Sequence, residues 1–209
     1  MMDARRPGSK PTALVTGASS GIGYELARKF AGNGYDLVIV ARNRQRLEDL
    51  AVLLHKDYGT NVVVLPKDLA AEPSAQEIVD YLKNEAIKID ILVNNAGFDV
   101  HGLFIDTDLE RELQMIQVNL VTLTRLTKFL LPDMVEQGFG MVLNVGSIGS
   151  FVPSPLNAVY SATKAYVLSF SEAIAEELVG SGVSVTVLCP GTTRTEFQRR
   201  AGMQNVRLL

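Results

Sequence analysis

Tyr160 and Lys164 stand four residues apart in the run Tyr160-Ser161-Ala162-Thr163-Lys164. On a helix that spacing puts a phenol and an ammonium on one face. A fixed positive charge near a phenol favours the phenolate and lowers its pKa. Tyrosine ordinarily titrates near ~10, so such a lysine moves the phenol toward acid–base work at neutral pH. Spacing of this kind is common on helices that do no chemistry, so its meaning depends on what the rest of the chain places beside the pair. Ser147 precedes Tyr160 by thirteen residues, in Asn144-Val145-Gly146-Ser147-Ile148-Gly149, and adds a hydroxyl at the end of an apolar run.

The elements that position these groups follow from hydrophobic patterning. Short runs rich in Val, Ile and Leu predict strands over 12–16, 36–41, 62–66, 89–94, 140–145 and 183–188. Their nearly continuous apolar content is that of strands buried on both faces. Amphipathic stretches between them predict helices over 22–31, 44–56, 74–86, 109–137 and 157–179, with Gly32, Gly34, Gly59, Gly138, Gly180 and Gly182 punctuating their ends. Strand–helix alternation implies an α/β fold, a doubly wound parallel sheet with right-handed crossovers. Strand carboxyl ends are where such sheets place ligands, and Ser147 stands at one. With 209 residues the chain suits a single domain, read here as residues 11–209 after a flexible segment 1–10.

Composition narrows the function classes. A net charge of −3 does not predict a nucleic-acid surface. One cysteine, Cys189, excludes an internal disulfide; inside an apolar run it reads as a small buried hydrophobe. Two histidines, His55 and His101, and that cysteine form no metal-ligand pattern. The polar, basic first ten residues are not a secretory signal, and no apolar run reaches membrane-spanning length. The resulting expectation is a soluble cytoplasmic protein without metal or membrane partner.

The first predicted strand runs into Thr16-Gly17-Ala18-Ser19-Ser20-Gly21-Ile22-Gly23 and then a helix. Glycine permits the tight turn and close approach of a ligand. The helix N-terminus presents unpaired N–H groups and a positive dipole end to a pyrophosphate. Strand–turn–helix in the first third of an alternating chain is the context a dinucleotide site requires.

The spacing Gly-x-x-x-Gly-x-Gly, with Asn94-Asn95-Ala96-Gly97, Asn119, Ser147, Tyr160 with Lys164, and Pro190-Gly191, resembles the short-chain dehydrogenase/reductase family in its common single-domain form. These motifs occur in the family's order and separations across positions 16 to 195. The resemblance implies a Rossmann-like sheet of strand order 3-2-1-4-5-6 and reversible carbonyl reduction. It assigns Tyr160 as general acid/base and Lys164 to the nicotinamide ribose, lowering the pKa of Tyr160. Ser147 is assigned to the substrate oxygen and Asn119 to a water relay toward Lys164. Singly, each has a bland reading: a bent helix for Asn119, a turn for Ser147, an interface contact for Tyr160. At family spacing the catalytic reading prevails.

The same resemblance assigns Gly17, Ser19, Ser20, Gly21, Ile22 and Gly23 to the phosphates, Asp68 and Leu69 to the adenine, and Asn95, Ala96 and Gly97 to the ribose side. Pro190, Gly191, Thr193 and Thr195 are assigned to the nicotinamide end. No carboxylate ends the second strand, where an NAD-selecting acid belongs, and Arg42 follows it. A guanidinium suits a 2′-phosphate, so NADP(H) is expected over NAD(H), although Ser20 stands where many NADP-preferring relatives carry a second basic residue. Three loops are expected to line an apolar substrate pocket: Phe98, Val100, His101 and Phe104; Ile148, Phe151, Val152 and Leu156; and Phe197 with Met203. His101 reads as a solvated loop residue.

Relatives of this form usually continue several dozen residues past a point equivalent to Leu209, adding a helix, a seventh strand and part of the substrate lid. Without them 183–188 becomes an edge strand, unusual for so apolar a segment, and the reading is a sequence that ends early rather than a covered edge or a short variant. A homodimer or homotetramer through 109–137 and 157–179 is expected, as in relatives. Two rivals remain at this point. One is a dinucleotide-binding regulator without turnover, disfavoured by the complete Asn119/Ser147/Tyr160/Lys164 set. The other is a sugar-nucleotide epimerase or dehydratase, disfavoured by the glycine spacing.

Overall fold

In the computed structural model, which describes residues 10–191 and 193, six strands form one parallel sheet in the order β3-β2-β1-β4-β5-β6. They are β1 (Thr12–Thr16), β2 (Asp36–Ala41), β3 (Val62–Pro66), β4 (Ile91–Asn94), β5 (Gly140–Val145) and β6 (Val183–Leu188). The helices are α1 (Gly21–Gly32), α2 (Arg44–Tyr58), α3 (Ser74–Asn84), α4 (Leu109–Ile116), α5 (Leu123–Gln137) and α6 (Ala158–Glu177). The chain builds outward from β1 to β3, then returns to lay β4 on the other side of β1. Val15 of β1 is therefore opposite Ile39 on one side and Val93 on the other. Such a reversal opens a crevice at the strands' carboxyl ends.

Side chains alternate across the sheet, so β1 feeds two cores. Leu14 joins Val38, Leu92 and Val142 against Ile78, Leu82, Leu126 and Met134. Ala13 and Val15 join Ile39 and Val93 against Ala27, Leu47, Leu50 and Leu54. Each fully buried large side chain contributes about 1.5–3 kcal/mol, which explains why the central strands tolerate almost no polar residue. β6 and β3 are the two edge strands among those described. Ser184, Thr186 and Leu188 on β6 are exposed, so its pattern alternates more than its apolar composition implies.

One predicted element divides. In place of a single helix over 109–137, α4 and α5 are separated by a π-helical turn, Gln117–Thr122. Turns of this kind gather at functional positions, and Asn119 lies inside this one, 1% exposed. Apolar periodicity continues through the turn, with Val118, Thr122 and Leu123 buried, so the composition carries no break signal.

Candidate active site

A cleft of about 1120 Å³ follows the carboxyl ends of the strands. Its middle is the turn after β1. Gly17 sits at φ +67, and a Cβ there would lie 2.7 Å from Asn95 Nδ2 and 2.9 Å from Ala96 Cα. A Cβ on Gly23 would strike Asn95 Nδ2 and the Gly17 carbonyl. Asn95 fixes this turn from β4's side: its Nδ2 donates to Thr16 O at 2.9 Å, and its N–H donates to Thr16 Oγ1 at 3.0 Å. Ala96 N–H shares the same hydroxyl at 3.0 Å. Ser20 starts α1 without a side-chain cap, which leaves the first-turn N–H groups free for an anion. Ser19, Ser20, Gly21 and Ile22 line the cleft.

At one end stand Arg42, Lys67, Asp68 and Leu69. Arg42 is exposed at the end of β2, and Lys67 follows β3 with its ammonium 2.6 Å from Glu77. The opposite end holds Gly97, Ser147, Ile148, Tyr160, Lys164, Pro190, Gly191 and Thr193. The donors in the middle and the cation at Arg42 fit a phosphate-bearing dinucleotide lying between these ends. Thr195, Phe197 and Met203 lie outside the described residues.

Local bonding fixes the second end. Ser147 leaves β5 in extended backbone, and its hydroxyl accepts from Gly149 N–H at 3.1 Å. Its own N–H donates to Ser150 Oγ, which donates to Lys164 O at 2.8 Å and so ties this turn to α6. Lys164 is buried, and its Nζ donates to Val145 O at 2.7 Å. Asn119 Nδ2 donates to Phe98 O and Thr163 Oγ1, both at 3.1 Å, and its Oδ1 accepts from Phe98 N–H at 3.2 Å. Gly97 packs close to this pair: a Cβ there would lie 3.0 Å from Asn119 Oδ1 and 3.6 Å from Lys164 Nζ. The Asn119 side chain thus clamps the β4 loop to α6 beside the lysine.

The electrostatics correct one expectation. Burial pushes the Tyr160 phenol up to about 12; a Ser147 hydrogen bond pulls it back only in part, and Asp99 raises it further. The lysine does not reverse this. Its Nζ stands over the ring, 5.8 Å from the centroid, with a proton committed to Val145 O. Burial in turn draws the Lys164 ammonium down to about 8, against the opposing pull of Cys189 and Asp99. In this state the phenol is held as an acid.

The substrate side also differs from expectation. Phe98 and Ile148 line the cleft. Phe151, Phe104 and Val152 are exposed and are not among its lining residues. Their segments project from the sheet, where apolar content alone gives no direction. His101 is half-buried against Asn157 rather than solvated. Asp99 and Asn157 line the cleft, yet patterning gave no reason to single them out; the one signal was an acid three residues past Ala96 in a segment that must be buried. Among the described residues no group of His, Cys, Asp or Glu is arranged to hold a metal, and no helix is long and apolar enough to cross a membrane.

Residues 11–205 match the short chain dehydrogenase family. The chain is 34% identical over 180 residues to the ketoacyl reductase HetN of a Nostoc species, covering 86% of this chain and 62% of HetN. It is 37% identical over 186 residues to sulfoacetaldehyde reductase 2 of Chromohalobacter salexigens, covering 88% of this chain and 73% of that protein. A short-chain dehydrogenase from Sphingobium yanoikuyae, solved in complex with NADPH, superposes with a TM-score of 0.88 at 41% identity, over 93% of this chain and 75% of that one. The chain thus spans less than two thirds of HetN's length. It belongs to the short-chain dehydrogenase/reductase family, oxidoreductases that bind a nicotinamide dinucleotide.

Proposed function

We propose that residues 11–209 form an NADP(H)-dependent oxidoreductase domain that interconverts a carbonyl and a primary or secondary alcohol on a small, largely apolar substrate. The observation that carries this reading is a single cleft with Arg42 at one end and Ser147, Tyr160 and Lys164 at the other. When bound, the nicotinamide supplies the hydride.

The chain's own residues do the rest. Reduction develops negative charge on the carbonyl oxygen, which needs donors and a proton there. Ser147 and the Tyr160 phenol donate to that oxygen, and Tyr160 delivers the proton. A phenol held up to about 12 stays protonated through neutral pH, which is the form that reduction requires. Lys164 orients the ribose and, with Asn119 steadying the helix beside it, passes a proton back to the phenol. Phe98 and Ile148 supply apolar walls.

Arg42 selects the phosphate-bearing cofactor, a choice supported by the NADPH bound to the Sphingobium relative. Charge-assisted hydrogen bonds to a phosphate are worth about 1.5–3 kcal/mol. Arg42→Ala is therefore expected to weaken NADPH binding about 10–100-fold and leave NADH binding nearly unchanged, read by fluorescence titration. A wild-type protein that prefers NADH, with no response to the substitution, rules the selection out.

Self-association belongs to the same reading. Phe129 and Val135 on α5 and Tyr166 on α6 are exposed, and Tyr166 stacks on Phe170 with ring centroids 5.7 Å apart. Exposed apolar side chains on these two helices suit contact with a second copy. Light scattering is expected to report a dimer or tetramer; a monomer at micromolar concentration overturns it.

A further inference from the structure

The entry to α6 is built in an unusual way. Leu156 adopts φ +67, a left-handed conformation foreign to a bulky side chain. Such residues persist only where their surroundings over-determine them, and they gather at functional sites. Here the Leu156 carbonyl accepts from Gly102 N–H at 2.8 Å. Asn157 then occupies the N-cap position of α6 but makes no side-chain cap bond, although asparagine is among the best capping residues.

Its carboxamide turns instead to the loop after β4. It lies 2.7 Å from His101 Nδ1. With its nitrogen facing these acceptors, it reaches His101 Nδ1 at 2.7 Å, Leu156 O at 2.9 Å and Asp99 Oδ2 at 3.2 Å. Asp99 is 2% exposed, and its Oδ1 has no hydrogen-bond partner in good geometry, the Val100 N–H giving partial relief. An unsatisfied buried carboxylate is costly.

We propose that Asp99, His101 and Asn157 are positioning residues for Tyr160: a half-buried polar clasp that joins the β4 loop to the first turn of α6 and keeps the buried Asp99 carboxylate within electrostatic reach of the phenol. Tyr160 is the third residue of α6, so a shift at Asn157 moves its hydroxyl directly. The clasp rests on the oxidoreductase reading for its purpose but not for its existence. The titratable groups facing Asp99 are His101 on its own loop and Tyr160 and Lys164 on α6, with Cys189 beyond Lys164. Burial raises the Asp99 carboxyl to about 6. Once ionised, it disfavours the phenolate and favours the Lys164 ammonium.

Two measurements test the clasp. Carbon-13 NMR of aspartate- and tyrosine-labelled protein is expected to show one carboxyl titrating about pH 6, lost in Asp99→Asn. The Tyr160 ring signal, assigned with Tyr160→Phe, is expected to follow the same inflection. Neither signal requires turnover, so both hold even if no carbonyl is reduced. A Tyr160 signal indifferent to Asp99 ionisation overturns the proposal.

In kinetics, Asp99→Asn is expected to move the onset of alcohol oxidation, which needs the phenolate, to lower pH. Asn157→Ala is expected to lower kcat about tenfold with NADPH affinity kept within about twofold. Unmoved pH profiles and kcat in folded variants likewise overturn it, whereas a wild type without turnover at any pH counts against the oxidoreductase reading alone.

Discussion

Tyr160→Phe is expected to lower carbonyl reduction by about 10²–10⁴-fold, the range a positioned general acid contributes. The substitution removes one oxygen. It leaves the ring over which Lys164 stands and the Lys164–Val145 bond, so NADPH binding is expected to persist. The sign of the pH response follows from the buried phenol. Because it is held up to about 12, the wild-type acid is not exhausted between pH 6 and 9. A decline of reduction in that window therefore reports Lys164, drawn down to about 8. Steady-state kinetics with a panel of ketones and aldehydes, paired with NADPH fluorescence titration, separate chemistry from binding. Undiminished turnover in the variant sinks the assignment of Tyr160.

Lys164→Met is expected to act in opposite directions on activity and stability. Activity falls because the ammonium beside the phenol and ribose is gone. The ligand-free protein becomes more stable at pH 7, by about 1–2 kcal/mol. The lysine's pKa falls from 10.5 unfolded to about 8 folded, a cost of a few kcal/mol at about 1.36 per unit. The variant loses the hydrogen bond to Val145 O, worth about 1 kcal/mol, and keeps the buried stem's apolar packing. The unfolded chain holds more protons between pH 8 and 10.5, so wild-type stability rises with pH across that window. The gap between variant and wild type is therefore constant below 8, narrows above it and reverses before 10.5, where the wild type keeps its hydrogen bond to Val145 O without the cost of a buried charge. Urea unfolding at pH 7 and 9.5 reads this; a variant less stable at pH 7, or a gap that widens with pH, contradicts it. Stability given up for a working site is common in enzymes.

The sheet was legible because its strands obey one rule. Val15, Ile39 and Val93 lie between two helix layers, so each run is apolar throughout, and five of the six strand ranges agree at both ends. The glycine turn was legible because Gly17 and Gly23 have no room for a Cβ. Ser147, Tyr160 and Lys164 line one end of the cleft, with Asn119 bonded behind them to Phe98 and Thr163. Charge was much harder to read. A lysine four residues from a tyrosine says nothing about burial, and burial set the Tyr160 pKa against the expected direction. The π-helical turn was invisible because Val118 and Leu123 keep the helical pattern going through it. Asp99 and Asn157 were missed and His101 was read as solvated because Asn157 is fifty-odd residues from the other two and meets them only when the β4 loop touches the start of α6.

That π-helical turn has a consequence for how the protein tolerates genetic change. A turn closed over five residues rather than four holds one more residue than a regular helix needs, and no single side chain creates it. A scan of substitutions across 117–122 would register the buried Val118, Asn119 and Thr122 but not the extra residue itself. Deleting one codon there would let α4 and α5 fuse into a straighter helix while rotating every later side chain by about 100°. Part of the site is therefore encoded as a residue count, and it is open to loss by a deletion that no single substitution reproduces.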